Sequence, residues 1–430
     1  MKRLMDGKRS QSRMDTEINE TIKLLFDNGF KQREMCSFLA ASGYKISERH
    51  LRRLLKSLGL KRRSFDRPHN EIRHAVMSEL MHWSPWQGIR AMHKRVRDVR
   101  GIQPCYRNDV AVIMRELDAS GLLRRCPGKK RIERRNYFSR GPNYTWHIDG
   151  NDKLKFCGIW VHLGIDGFSR KIIWLKAGTS NRQQTFVARY FFDAIQEHSG
   201  CPRFIRADRG KENLLVGQMQ VAFHFRESGD QGRDSFRVGT SVHNQASECF
   251  NSMLKKTWIK KWQVTFEAMM ESGMLNLDNP VHINCLQYTH LPLLERELNI
   301  EQRLWNTHDI RKQRNAPGPF GKPDLLFTSP PEGFADMLCK VDNDLLKYAE
   351  QLVCGVDEPL LVANEEFRKI SEAILQNTNF PSSPDGSLAA YLMLVEKFTT
   401  VLQTRGTPIP STFAEANEIY QLLANETGTF

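Results

Sequence analysis

The chain has 430 residues, a formal net charge of +14 and 40% hydrophobic residues. That length exceeds one ordinary domain, so about three modules with real cores are expected. No apolar run approaches the roughly 18 residues of a membrane span, and the opening "MKRLMDGKRSQSR" has no apolar stretch behind its charges, so neither a signal peptide, an anchor nor a membrane partner is expected. Nine cysteines, an odd number without a C-x-x-C pair, argue for reduced thiols inside the cell and against a disulfide framework or a structural zinc.

The charge is uneven. Residues 1–140 hold 33 Lys and Arg against 15 Asp and Glu, a net of +18. Residues 141–430 hold 30 against 34, a net of −4. A basic front on a near-neutral body is the electrostatic footprint of nucleic-acid binding, and confinement of the charge to one third of the chain speaks against a merely soluble basic surface; an intracellular, nuclear location is expected.

"KQREMCSFLAASGYKISERHLRRLLKSLGLKRR" (31–63) predicts helix, turn, helix. Gly43 breaks the first pattern and Ser47 is placed to cap the second. Leu51, Leu54, Leu55 and Leu58 form one apolar stripe, while Arg49, Arg52, Arg53 and Lys56 lie off it. Gly59 sits where a helix C-terminus favours positive φ. The pattern recurs at "YRNDVAVIMRELDASGLLRRC" (106–126), with Val110, Ile113, Met114 and Leu117 at the same spacing. Two three-helix, helix-turn-helix-like domains are expected, over 15–64 and 68–125. The second helix of such a unit enters the major groove, with phosphate contacts beside it. Helical bundles that bind protein would need the same leucine stripe; the basic open face, with Arg49, Arg52 and Arg53, favours DNA. A basic linker over 124–140 follows, with seven Lys and Arg in "RRCPGKKRIERRN". Lys129, Lys130 and Arg131 in it are candidate phosphate contacts or part of a nuclear import signal, unless the segment is a solvated tether.

From Tyr144 the period becomes alternating, and the strand "YTWHID" finishes on Asp149 with a glycine after it. "FCGIWVHLGID" and "RKIIWLKA" read as neighbouring antiparallel strands joined by "DGFS". The segment 180–200 reads as a helix capped by Ser180 or Asn181. "CPRFIRADRG" gives a short strand ending in Asp208, and "DSFRVGTSVHNQASECFNSMLKKTW" one more strand and a helix bearing Glu248. A three-strand meander, a crossover helix, a strand and a further helix fit a five-stranded mixed α/β sheet of the ribonuclease H type. The first and fourth strands are then adjacent and parallel, so Asp149 and Asp208 end side by side, with Glu248 able to cross the same edge. Hard divalent cations take such oxygen ligands. Lys255, two turns beyond Glu248, is either a phosphate contact or a solvated lysine. Asp152, Glu212 and Asn213 read as loop and capping residues.

"WHIDG", "IDGFSR", "RADRGKEN" and "HNQASE" resemble the core of retroviral and transposon integrases, above all the integrase-core proteins of mobile-element descent in animal genomes. The resemblance covers most of 20–330. It implies a catalytic and metal-binding triad of Asp149, Asp208 and Glu248, two Mg²⁺ or Mn²⁺ ions, and DNA integration. Water would attack first to free a 3′-OH, which would then attack a target phosphodiester. Joining two DNA ends implies a homo-oligomer. "NQASE" lacks the arginine usual two residues before the glutamate, and "ADRG" replaces the usual "TDCG" or "SDNG", but no carboxylate is lost. The alternatives are a domesticated, catalytically inactive nucleic-acid-binding protein and a plain nuclease acting on RNA–DNA hybrids. The integrase-like core is expected over 141–328. Residues 331–430 hold 6 Lys and Arg against 15 Asp and Glu; this acidic, α-helical end does not favour DNA, and either protein contacts or simple packing is expected of it.

Overall fold

The computed structural model describes residues 16–61, 68–82, 87–119, 121, 139–180, 183–239, 245–312, 318–353, 364–375 and 383–425. Lys129, Lys130 and Arg131 lie outside the described residues, as does Asn181. The chain divides into two compact units. One takes in 1–144, 167–171 and 303–337; the other takes in 145–166, 172–302 and 338–430.

In the first unit, helices α1 (16–27), α2 (Gln32–Ala41) and α3 (Glu48–Ser57) enclose Ile22, Leu25, Phe26, Phe30, Met35, Leu39, Leu51 and Leu55. Leu54 and Leu58 pack at the margin of this core, so the leucine stripe faces inward as its spacing dictates. Ser47 caps α3 by accepting the His50 N–H at 3.2 Å. Gly43 and Gly59 take φ of +89° and +69°, a region that favours residues without a Cβ. Helices α4 (His69–His82), α5 (Ile89–Asp98) and α6 (Arg107–Leu117) enclose a second core of Ile72, Val76, Met92, Val96, Val110, Ile113 and Met114. Leu117 is partly buried against it and ends its helix. Beside it, buried Glu79 accepts from Arg95 at 2.7 Å and from Arg100 at 2.6 Å. Residues 303–337 cluster with these helices. Leu325 packs on the first core, and Lys322, 3% exposed, pairs with Glu34 at 3.0 Å and Asp309 at 3.4 Å.

The second unit is built on five strands, β1 (Thr145–Asn151), β2 (Trp160–Asp166), β3 (Ile172–Gly178), β4 (Phe204–Ala207) and β5 (Phe236–Val238), in the order β3-β2-β1-β4-β5. β1, β2 and β3 form the antiparallel meander, and β4 runs parallel to β1. Alternation sends Trp146 and Ile148 to one face, where Trp146 meets Phe191 of α7 (Gln184–His198) edge-on at 6.4 Å. Three local details differ from expectation. β1 continues through Gly150 to Asn151, because those residues still pair with His162 and Val161. α7 starts at Gln184, with Gln183 as N-cap and no side-chain cap, so Ser180 does not cap it. An unanticipated helix, α8 (Leu214–Ser228), joins β4 to β5; it buries Val216, Met219 and Phe223. Gly217 interrupts its pattern and leaves room for the Phe236 ring of β5.

α9 (Gln245–Leu254) passes through a π-helical turn, Lys255–Ile259, into α10 (Lys260–Glu271). The turn is followed by an anchor on α11 (Pro280–Asn306). The Trp258 and Trp262 indoles donate to Glu297 at 2.9 and 2.8 Å, and Lys261 adds a third bond at 2.8 Å. α13 (Asn343–Val353), α14 (Glu365–Ile374), α15 (Pro384–Thr404) and α16 (Phe413–Asn425) give the helical C-terminal region; α12 is Pro323–Thr328 of the first unit. Phe367 and Phe398 stack at 5.0 Å and meet Tyr420 edge-on at 4.9 and 5.7 Å, and Asn284 of α11 donates to the Tyr420 hydroxyl at 3.0 Å. Among the described residues no helix is long and apolar enough to cross a membrane.

Candidate functional site

The site lies where the parallel pairing of β1 with β4 runs out. Thr145, Trp146 and His147 pair with Phe204, Ile205 and Arg206. Two residues further, the same register brings Asp208 beside Asp149. Helix α9 crosses this edge. Asn251 donates its Nδ2–H to Asp149 Oδ2 at 2.9 Å and accepts from Asn151 Nδ2 at 3.2 Å. Ser247, one turn earlier on α9, also hydrogen-bonds Asp149. Glu248 lies between them and is exposed.

The charges of Asp208 and Glu248 both act on Asp149. Burial, then the charge of Asp208 and, more weakly, that of Glu248 push the Asp149 carboxyl up to about 6; the bonds from Asn251 and Ser247 work in the opposite sense. Asp208 is cupped by its own turn, its Oδ1 accepting from the Gly210 N–H and from Asn213 Nδ2, each at 3.2 Å. Glu212 folds back over Gly210, where any Cβ would overlap its carboxylate. Burial raises the Glu212 carboxyl, and the charges of Asp208 and Asp152 add to that against a backbone hydrogen bond.

Sequence reasoning set Asp152, Glu212 and Asn213 aside as loop or capping residues, and it missed Ser247 and Asn251. Their i,i+4 spacing across Glu248 was the available signal. Ser247, the residue before Glu248 in "NQASE", thus supplies a donor to Asp149.

The donor chemistry suits a hard divalent cation. Two carboxylates, Asp149 and Asp208, meet at a part-buried edge, and carboxylate oxygens are the donors such a cation takes. Among the described residues, however, no three His, Cys, Asp or Glu side chains form a group that could hold a metal ion. Lys255, on the first residue of the π-helical turn, is exposed.

Of the other candidates, Arg49, Arg52 and Arg53 are exposed on α3. Arg52 is engaged there, with Glu48 at 3.3 Å and Gln32 at 3.0 Å.

Comparison with known proteins bears on this segment. Residues 137–321 match the family model described as the integrase core domain; such domains generally depend on divalent metal. Among solved structures, the chain is similar to one in the simian T-cell lymphotropic virus intasome in complex with PP2A regulatory subunit B56 gamma. The identity is 12%, the match covers 63% of this chain and 78% of that one, and the TM-score is 0.29. No curated protein matches the chain. The segment with β1, β4 and α9 at its centre is the part of the chain that matches the integrase core domain model.

Proposed function

We propose that this protein is a DDE-type polynucleotidyl transferase, which cuts DNA strands and joins them to a target in the manner of an integrase. One observation carries the reading. Asp208, just past the end of β4, lies in register beside Asp149 of the adjacent parallel strand β1, and the helix bearing Glu248 is tied to Asp149 through Asn251. The integrase core domain over the same residues supports it.

Asp149, Asp208 and Glu248 would hold two Mg²⁺ or Mn²⁺ ions. Bound divalent cations polarise the scissile phosphoryl group and neutralise charge that develops in an in-line displacement. The chain's own residues do the rest by positioning. Asn251 holds one oxygen of Asp149, the turn at Gly210 and Asn213 holds one oxygen of Asp208, and Lys255 is exposed one helical turn beyond Asn251 for a DNA phosphate. Arg49 and Arg53 on α3 would contact DNA backbone, several copies of the chain would join two DNA ends, and the nucleus would be the place of action.

The test is Asp149→Asn in a Mn²⁺-dependent nicking and strand-transfer assay on oligonucleotides. Loss of activity is expected, and an undiminished rate would end the assignment. A second reading, a DNA-binding protein that no longer catalyses, is favoured by the absence of a closed three-ligand group among the described residues. It predicts that the unaltered chain binds DNA without nicking it at any Mn²⁺ concentration.

A further inference from the structure

Behind Asp208 runs a buried polar line that the reading above does not use. His162 of β2 is fully enclosed, 1% exposed, on the sheet face opposite Asp149. Its Nδ1 lies 3.0 Å from the indole Nε1 of Trp174. An indole nitrogen only donates, so the imidazole nitrogen facing it is an acceptor and carries no proton. The proton of the neutral ring therefore sits on Nε2. Burial, the dominant influence on this ring, keeps it neutral and pulls its pKa down to about 3.

That leaves a buried donor, His162 Nε2, and a buried acceptor, Asn213 Oδ1, each without a hydrogen-bond partner. They are complementary. Asn213 is the side chain whose hydrogen bonding acts on the His162 ring, and Asn213 is itself 3% exposed. Its amide has a fixed sense: Nδ2 donates to Asp208 Oδ1 at 3.2 Å, which turns Oδ1 away from the carboxylate. The indole is held in turn. Trp174 pairs across the sheet with Gly164, where any Cβ would overlap the indole ring, and its plane lies 6° from that of His162, as an in-plane N–H···N bond requires.

We infer that His162 is a positioning residue for Asp208. The line runs from Trp174 Nε1–H to His162 Nδ1, from His162 Nε2–H to Asn213 Oδ1, and from Asn213 Nδ2–H to the carboxylate. It sets which way the Asn213 amide faces and thereby which oxygen of Asp208 stays open to a cation. Outer partners of this kind typically change metal affinity by about 10–100-fold when removed. The inference rests on reading Asp208 as a metal-holding residue.

Two measurements test it and keep the two readings apart. Long-range ¹⁵N–¹H correlation spectra of histidine-labelled full-length protein should show His162 as the neutral Nε2–H tautomer. Asn213→Leu should leave that tautomer in place but move its Nε2 signals. A proton on Nδ1, or Nε2 signals indifferent to Asn213→Leu, would overturn the inference. Calorimetric titration with Mn²⁺ alone should show binding weakened about tenfold in His162→Phe and restored to within about threefold by His162→Gln, whose amide nitrogen can replace the Nε2 donor. Folded His162→Phe protein that binds Mn²⁺ like the wild type would also overturn it, since a purely structural histidine would alter the melting temperature and leave affinity alone. A wild-type chain that binds no Mn²⁺ while His162 shows the expected tautomer and Asn213 response would remove the metal reading and leave the hydrogen-bonded line intact.

Discussion

Asp149→Asn should make the metal-free protein more stable while destroying its proposed chemistry. The Asp149 carboxyl is raised from 3.8 to about 6, chiefly by burial and by Asp208. Its proton is therefore held more tightly in the folded chain than in the unfolded one. The stability this gives is fully present below about pH 4 and is lost as the pH rises through about 6. At neutral pH the ionised group opposes folding. Two pH units at about 1.4 kcal/mol each give about 3 kcal/mol as an upper bound. An asparagine has no charge to desolvate and keeps an oxygen for the Asn251 amide. Urea unfolding of the second unit without divalent cations should show Asp149→Asn stabilised by up to about 3 kcal/mol near pH 7, the advantage fading toward pH 4. Mn²⁺ should then stabilise the wild type and do little for the variant. A variant that is less stable at neutral pH, or a difference that does not change with pH, would refute the picture of carboxylates crowded at one edge.

Glu297→Ala should cost about 3–5 kcal/mol, because it strands the Lys261 ammonium and two buried indole donors; the unfolding midpoint and the fluorescence of Trp258 and Trp262 report it, and a loss under about 1 kcal/mol would mean the donors find other acceptors. Tyr420→Phe removes the bond from Asn284 and should loosen α16 by about 1 kcal/mol, read as faster proteolysis after residue 400; unchanged cleavage would count against that contact as an anchor.

Much of this was legible because periodicity reports which face is buried. The Leu51–Leu58 stripe, the Ser47 cap and the strands around Trp146 and Ile165 follow from local pattern, and the parallel pairing of β1 with β4 from the order of elements. What failed depended on contacts distant in sequence. Nothing local shows that β1 should continue past Gly150; its pairing with His162 decides that. α8 carries a glycine that reads as a breaker until Phe236 is seen packed on it. The partners of Asp149 were hidden for a similar reason. Ser247 and Asn251 look like ordinary polar helix residues, and their role depends on a strand about a hundred positions earlier. Even "FCGIWVHLGID", read as strand, held in His162 a group whose partners, Trp174 and Asn213, lie 12 and 51 residues away.

The proposed DNA face of α3 can be resolved arginine by arginine, because the structure makes three similar side chains unequal. Arg49, Arg52 and Arg53 are all exposed on α3, off the leucine stripe. Arg52 is already bonded to Glu48 and Gln32, while no ion pair among the described residues involves Arg49 or Arg53. A guanidinium that meets a phosphate displaces condensed counterions, so each such contact contributes about 0.9 to the slope of log affinity against log salt. Arg49→Ala and Arg53→Ala should each lower that slope by about 1 on duplex DNA, with weaker binding across all sequences. Arg52→Ala should change it less, since forming a phosphate contact there first requires breaking the pair with Glu48; its main effect should be a few tenths of a kcal/mol of helix stability. Equal slopes for all three variants would show that the Glu48 pair does not persist on DNA, and slopes identical to the wild type would move the DNA contact off this helix.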